Sequence, residues 1–179
     1  ILIYNIADTF YIGRTDNPCM VAGATLILPL FNVTIAIANM AGVGGGTLVS
    51  RLLGIHKDDD ARKVSASSFW ISFSFAVLFS VLIGLFMTPL LKLLGASQEV
   101  IPFARQYTFT VVVLGGIPTI MTNTLAVLLR NTGYSKQSGF GVSMGGILNI
   151  VLDPLFMFVL LPDGYEVLGA GIATLLSNV

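Results

Sequence analysis

Three stretches of this chain contain no Asp, Glu, Lys or Arg: residues 17–50, 64–91 and 106–129, runs of 34, 28 and 24 residues. A helix crosses the hydrocarbon layer of a bilayer with about 20 apolar residues, so each run is long enough to span it. A fourth run, residues 137–152, is 16 residues long and continues past one acid, Asp153, into the apolar segment 155–161. The two ends, 1–12 and 167–179, are apolar, uncharged apart from Asp8, and too short to cross alone. The expectation is an all-α, polytopic transmembrane helix bundle of four full helices flanked by two partial ones. The chain begins at Ile1 with no basic n-region and no small-residue cleavage site, so the start is read as the interior of a longer sequence rather than as a signal peptide.

Composition narrows the function. Only 10% of residues are charged, against roughly 25% in an average soluble domain, too few for a water-facing surface. Nine basic and nine acidic residues cancel, which leaves no electrostatic footprint for nucleic acid. One cysteine, Cys19, and one histidine, His56, support neither a disulfide scaffold nor a structural zinc site.

Where the charges lie sets the orientation. The expected connections fall near 13–19, 50–63, 92–101, 130–137 and 162–166. The second and fourth carry Arg51, Lys57, Arg62, Lys63, Arg130 and Lys136, whereas the others carry Arg14 and Lys92, with Arg105 just inside the next helix. The positive-inside rule therefore places the second and fourth connections in the cytoplasm. Gly13, Asp16-Asn17-Pro18, Gly95, Asn131-Thr132-Gly133 and Pro162-Asp163-Gly164 are turn or cap signals. Ser97, followed by Glu99 and Pro102, is expected to cap the fourth helix. Pro29 and Pro118 lie deep in the second and fourth helices, where each removes a hydrogen bond and predicts a kink. The many intrahelical glycines, among them 42–46 and the Gly141/Gly145 pair, predict close helix packing through small residues.

Several motifs mislead. Gly141-Val-Ser143-Met-Gly145 fits a serine-hydrolase pattern, but Ser143 needs a base and His56 sits in a cytoplasmic loop, so an intramembrane enzyme is disfavoured. Asn32-Val-Thr34 is a glycosylation sequon buried in a span. Asp58-Asp59-Asp60 is read as a solvated helix start, because adjacent carboxylates do not converge on one cation and no further ligands follow at loop spacing.

Asp8 and Asp153 are the acids expected inside the membrane, where an aspartate costs about 2.5–3.5 kcal/mol at a helix centre and usually serves function. Counting from Gln137, Asp153 lies roughly 24 Å along its helix, in the outer third of the bilayer. Asp8 lies roughly 9 Å inward of the outer interface, at a comparable level. Each has an amide one turn back on the same face, Asn5 and Asn149 respectively. Pro154 is expected to disturb helical geometry at Asp153, and it leaves the Ile150 carbonyl without its usual donor. These oxygens suit a proton or a small cation.

The segments Tyr4-Asn-Ile-Ala-Asp-Thr-Phe-Tyr-Ile-Gly13, Ser50-Arg-Leu-Leu-Gly54, Leu94-Gly-Ala96, Leu148-Asn-Ile-Val-Leu-Asp-Pro-Leu-Phe156 and Gly169-Ala-Gly-Ile-Ala-Thr174 together resemble the multidrug and toxic compound extrusion (MATE) transporters, in particular their prokaryotic DinF-like and MepA-like branch. The resemblance implies a twelve-helix antiporter of two six-helix lobes that exports lipophilic, often cationic compounds in exchange for H⁺ or Na⁺. It implies that residues 1–179 are most of the amino-terminal lobe, from within helix 1 to within helix 6, with the carboxyl lobe absent. The implied surroundings are the inner membrane of a prokaryote, with drug-like molecules, the bilayer and the missing lobe as partners, and with no cofactor beyond the coupling ion. The implied coupling site is Asp8, Asp153 and Asn149, with Na⁺ able to bind at the two acids, and Tyr107, Asn123 and Thr174 are the matching polar neighbours. Asn131 stands where the family usually has glycine, in a turn where Asn is expected to tolerate a left-handed conformation. The rival within the same superfamily, a flippase for lipid-linked saccharides, is expected to place cationic residues in its cavity, and no span here holds one unless Arg105 turns inward.

Overall fold

The computed structural model describes residues 10–14, 17–162 and 165–178, and every regular element among them is helical. Asp8 and Asn5 lie outside the described residues. The elements are α1 (Pro18–Leu26), α2 (Leu28–Gly54), α3 (Asp58–Leu93), α4 (Ile101–Tyr107), a π-helical segment (Thr108–Leu114), α5 (Gly116–Asn131), α6 (Ser135–Leu155), a second π segment (Phe156–Leu160) and α7 (Glu166–Ser177).

By length and apolarity three helical segments can cross a membrane: Pro18–Gly54, Asp58–Leu93 and Ser135–Leu160. The fourth expected span is a broken one, Ile101–Leu114 and Gly116–Asn131, whose halves meet at 46°. Local signals account for the ends. Asn17 accepts the Cys19 N–H at 3.0 Å and Pro18 opens α1. Asp58, Asp59 and Asp60 fill the first turn of α3, where negative charge complements the helix dipole, and Asp60 pairs with Lys63 at 3.6 Å on the surface. Gly95 and Gly133 take the positive φ that ends α3 and the α5 turn, 95° and 93°.

The breaks obey one rule. Ile27 separates α1 from α2 two residues before Pro29, and Gly115 separates the fourth span three residues before Pro118. Phe86 leaves helical geometry (φ −105°, ψ 19°) three residues before Pro89, a bend that was not anticipated from the sequence. In each case the proline ring displaces the preceding turn and its missing N–H frees a carbonyl there. Pro154 behaves otherwise. Asp153 stays helical, contrary to expectation, and the helix widens only after Pro154, into the π segment from Phe156.

Packing of the central helices uses small and polar side chains. On α3, Ser68, Ser72, Ala76 and Ser80 recur at one-turn spacing and are all buried. Ser72 Oγ lies 2.9 Å from Thr124 Oγ1 of α5, Ala76 packs with Ala38 and Ile120, and Ser68 sits against Gly45 of α2, where a Cβ would overlap it. Such contacts replace the hydrophobic drive that helices in lipid lack. The small-residue expectation holds for Gly42, Gly45 and Gly46 of α2 but not for Gly44 or Gly141, which have open space around them, while Gly145 is buried. At the end of the bundle opposite the basic loops, Ile12, Ile27, Leu91, Val112, Met157 and Val167 form an apolar core.

Two local expectations are corrected. Ser97 does not cap α4: Val100 occupies the cap position, and only the Ser97 carbonyl takes part, accepting from Val100 and Ile101 N–H. Asn131 is not left-handed. It is the last residue of α5; its amide donates to the Val127 carbonyl at 2.9 Å and packs over Gly46, and its own carbonyl accepts the Ser50 hydroxyl. Gly133 supplies the left-handed turn instead.

Candidate functional site

α6 buries a narrow face: Ser138, Gly145, Gly146, Asn149 and Asp153, while Phe140, Met144, Ile147, Leu148 and Val151 point outward. Helical periodicity places Asn149 and Asp153 one turn apart on that face, and both are fully buried. The Asn149 amide nitrogen donates to Asp153 Oδ1 at 3.1 Å. It also donates to Thr174 Oγ1 at 3.3 Å, from α7. Thr174 reaches this point because its neighbours on the buried face of α7 are Gly169, Ala170, Gly171 and Ala173, small enough to bring the helix close.

The result is a chain of carboxylate, amide and hydroxyl inside the bundle, with Asp153 as its buried acid. Removing a charged carboxylate from water costs several kcal/mol unless its oxygens are hydrogen-bonded or neutralised. Hydrogen bonds to a charged group recover about 1.5–3 kcal/mol each. The site is therefore built around a group whose charge matters.

Tyr107, in the last turn of α4, is buried within the apolar core at the end of the bundle opposite the basic loops. Asn123 is half-buried, and its amide donates to the Thr119 carbonyl one turn back on its own helix at 2.8 Å. Arg105 lies exposed in the last turn of α4, and Ser143 is exposed on α6. Two polar residues that sequence reading passed over join this region from below: the Asn178 amide donates to the Thr174 carbonyl at 2.8 Å, and the Thr122 hydroxyl donates to the Asn178 carbonyl at 2.7 Å. Their only sequence signal is that Thr174 and Asn178 are one turn apart.

Comparison with known proteins agrees with this arrangement of helices. The MatE family model matches residues 1–155, most of the chain. This chain belongs to the MatE family. Among its relatives, the multidrug export protein MepA of Staphylococcus haemolyticus (strain JCSC1435) is 33% identical over 99% of this chain and 38% of its own length. MepA of Staphylococcus aureus (strain NCTC 8325 / PS 47) is 29% identical over 99% of this chain and 39% of its own. A crystal structure of MATE in the bent conformation superposes with a TM-score of 0.92 at 30% identity, covering 98% of this chain and 38% of that one. An inward-facing multidrug resistance MATE family transporter of the MOP superfamily gives 0.91 at 30% identity, covering 98% and 39%. This MatE chain thus spans about two fifths of the length of these relatives. Its helices are those of a multi-span membrane protein, with the Asp153 cluster inside the matched fold.

Proposed function

We propose that this chain is the amino-terminal lobe of a secondary multidrug exporter, and that Asp153 couples efflux of lipophilic or cationic compounds to entry of H⁺ or Na⁺. The observation that carries the reading is the fully buried Asp153, held by Asn149, whose amide also bonds Thr174, in a family whose relatives bear the name multidrug export protein. The three side chains present oxygen donors, which suit a hard monovalent cation as well as a proton. Asp8 is the second carboxylate of the proposed site, and Tyr107 and Asn123 are assigned in this proposal to the path of the exported compound or the ion.

In this reading, ion entry from outside neutralises Asp153 and so changes the hydrogen bonding of Asn149, biasing the lobe between two conformations. One charge crossing the membrane supplies about 2.3 kcal/mol per 100 mV. The second lobe completes the path across the inner membrane of a prokaryote.

The test is drug transport by the complete two-lobed transporter in sealed vesicles, with a pH gradient and a Na⁺ gradient imposed separately. Efflux is expected to follow one of the two gradients and to be lost in Asp153→Asn, with membrane insertion intact. Gradient-driven efflux that is unchanged in Asp153→Asn removes this carboxylate from the mechanism.

A further inference from the structure

The fourth span is the one transmembrane segment among the described residues broken sharply enough for its halves to meet at 46°, and α7 bridges the break. Before it, Gly171 of α7 lies so close to Thr110 that a Cβ would overlap the threonine side chain, with Val111 behind it. After it, the Asn178 carbonyl at the end of α7 accepts the Thr122 hydroxyl of α5 at 2.7 Å. Between these two attachments α7 presents Thr174 to Asn149.

The same bonds form a continuous chain. Asp153 Oδ1 accepts from Asn149 Nδ2; that nitrogen also serves Thr174 Oγ1; the Thr174 carbonyl accepts from Asn178 Nδ2; and the Asn178 carbonyl accepts from Thr122. One amide group is therefore shared between the carboxylate and α7. A hydrogen bond to a charged carboxylate is roughly twice as strong as one to a neutral partner, so the charge on Asp153 sets how strongly the amide is drawn from Thr174.

We infer that α7 is a splint across the Gly115 break and that Thr122 is its positioning residue, so that the charge state of Asp153 sets the bend of the fourth span. This rests on the reading of Asp153 as the coupling carboxylate. The physical warrant for such coupling is one element with two arrangements that both sites bias, and here that element is the bent pair of half-helices.

The experiment uses the complete transporter in lipid nanodiscs, in a background lacking Cys19, with spin labels at the exposed positions Phe109 and Leu125 on either side of the break. Double electron–electron resonance reads the distance distribution with Asp153 and with Asp153→Asn. The expected result is a population shift of about fivefold or more on neutralising Asp153, lost in Thr122→Val and retained in Thr122→Ser. Asn178→Leu, which removes the next bond in the chain, gives a second variant with the same expected loss. A shift that survives undiminished in Thr122→Val and in Asn178→Leu overturns the inference. If Asp153→Asn abolishes efflux yet leaves the distances unchanged, the splint fails while the coupling reading stands. If Asp153→Asn changes neither, both fail.

Discussion

Asn149 and Asp153 stand one turn apart on α6, joined at 3.1 Å with neither side chain exposed. The amide is the donor that this pair places on the carboxylate, and a net contribution of about 1.5–3 kcal/mol corresponds to one or two powers of ten in an equilibrium. Asn149→Leu is therefore expected to slow ion-driven efflux about 10-fold or more in vesicles of the complete transporter while the protein still inserts. Rates equal to those of the unaltered protein would show that Asn149 has no part in coupling.

A side chain at Gly45 meets Ser68 across the α2–α3 contact. Overpacking of this kind costs about 1–3 kcal/mol. Gly45→Val should lower the midpoint of thermal unfolding in detergent, and adding Ser68→Gly should restore part of the loss. A Gly45→Val protein with an unchanged midpoint contradicts the close approach.

Ser72 and Thr124 tie α3 to α5 through a buried hydroxyl pair at 2.9 Å. Interhelical hydrogen bonds in membranes average about 0.6 kcal/mol. A double-mutant cycle with Ser72→Ala and Thr124→Val, read by reversible unfolding in mixed micelles, should return a coupling energy of that order. Strict additivity of the two single losses is the contrary result.

At the break of the fourth span, a Cβ on Gly115 would lie 2.6 Å from the Val111 carbonyl oxygen, and a backbone atom does not yield as a side-chain tip does. Gly115→Ala is expected to reset the bend and reduce efflux, whereas Gly139→Ala, where the added methyl meets open space, leaves efflux as it was. Equal activities of the two variants would show that the local geometry at Gly115 is not needed.

Much of the fold was legible because hydrophobicity, charge and proline chemistry act locally. The uncharged runs located the spans, and Pro29 and Pro118 announced two breaks that the structure places at Ile27 and Gly115. The bend at Phe86 follows the same chemistry from Pro89, so its signal was present though unread. The two π segments had no such signal, since one extra residue in a turn alters neither composition nor periodicity enough to read. Asn131 shows the opposite limit. Its residue type allows the left-handed turn, but contact with Gly46 and Ser50, 85 and 81 positions away in sequence, holds it helical.

By itself the sequence determined that this chain crosses a bilayer, which loops carry the positive charge, and that Asn149 and Asp153 share a helix face, because each follows from residues close along the chain. Tertiary structure alone decided that the shared amide also meets Thr174, 25 residues on, and that Thr122 holds Asn178 across 56. Those partners are chosen by the close approach of small-residue helix faces, a property of two surfaces together that neither segment carries alone.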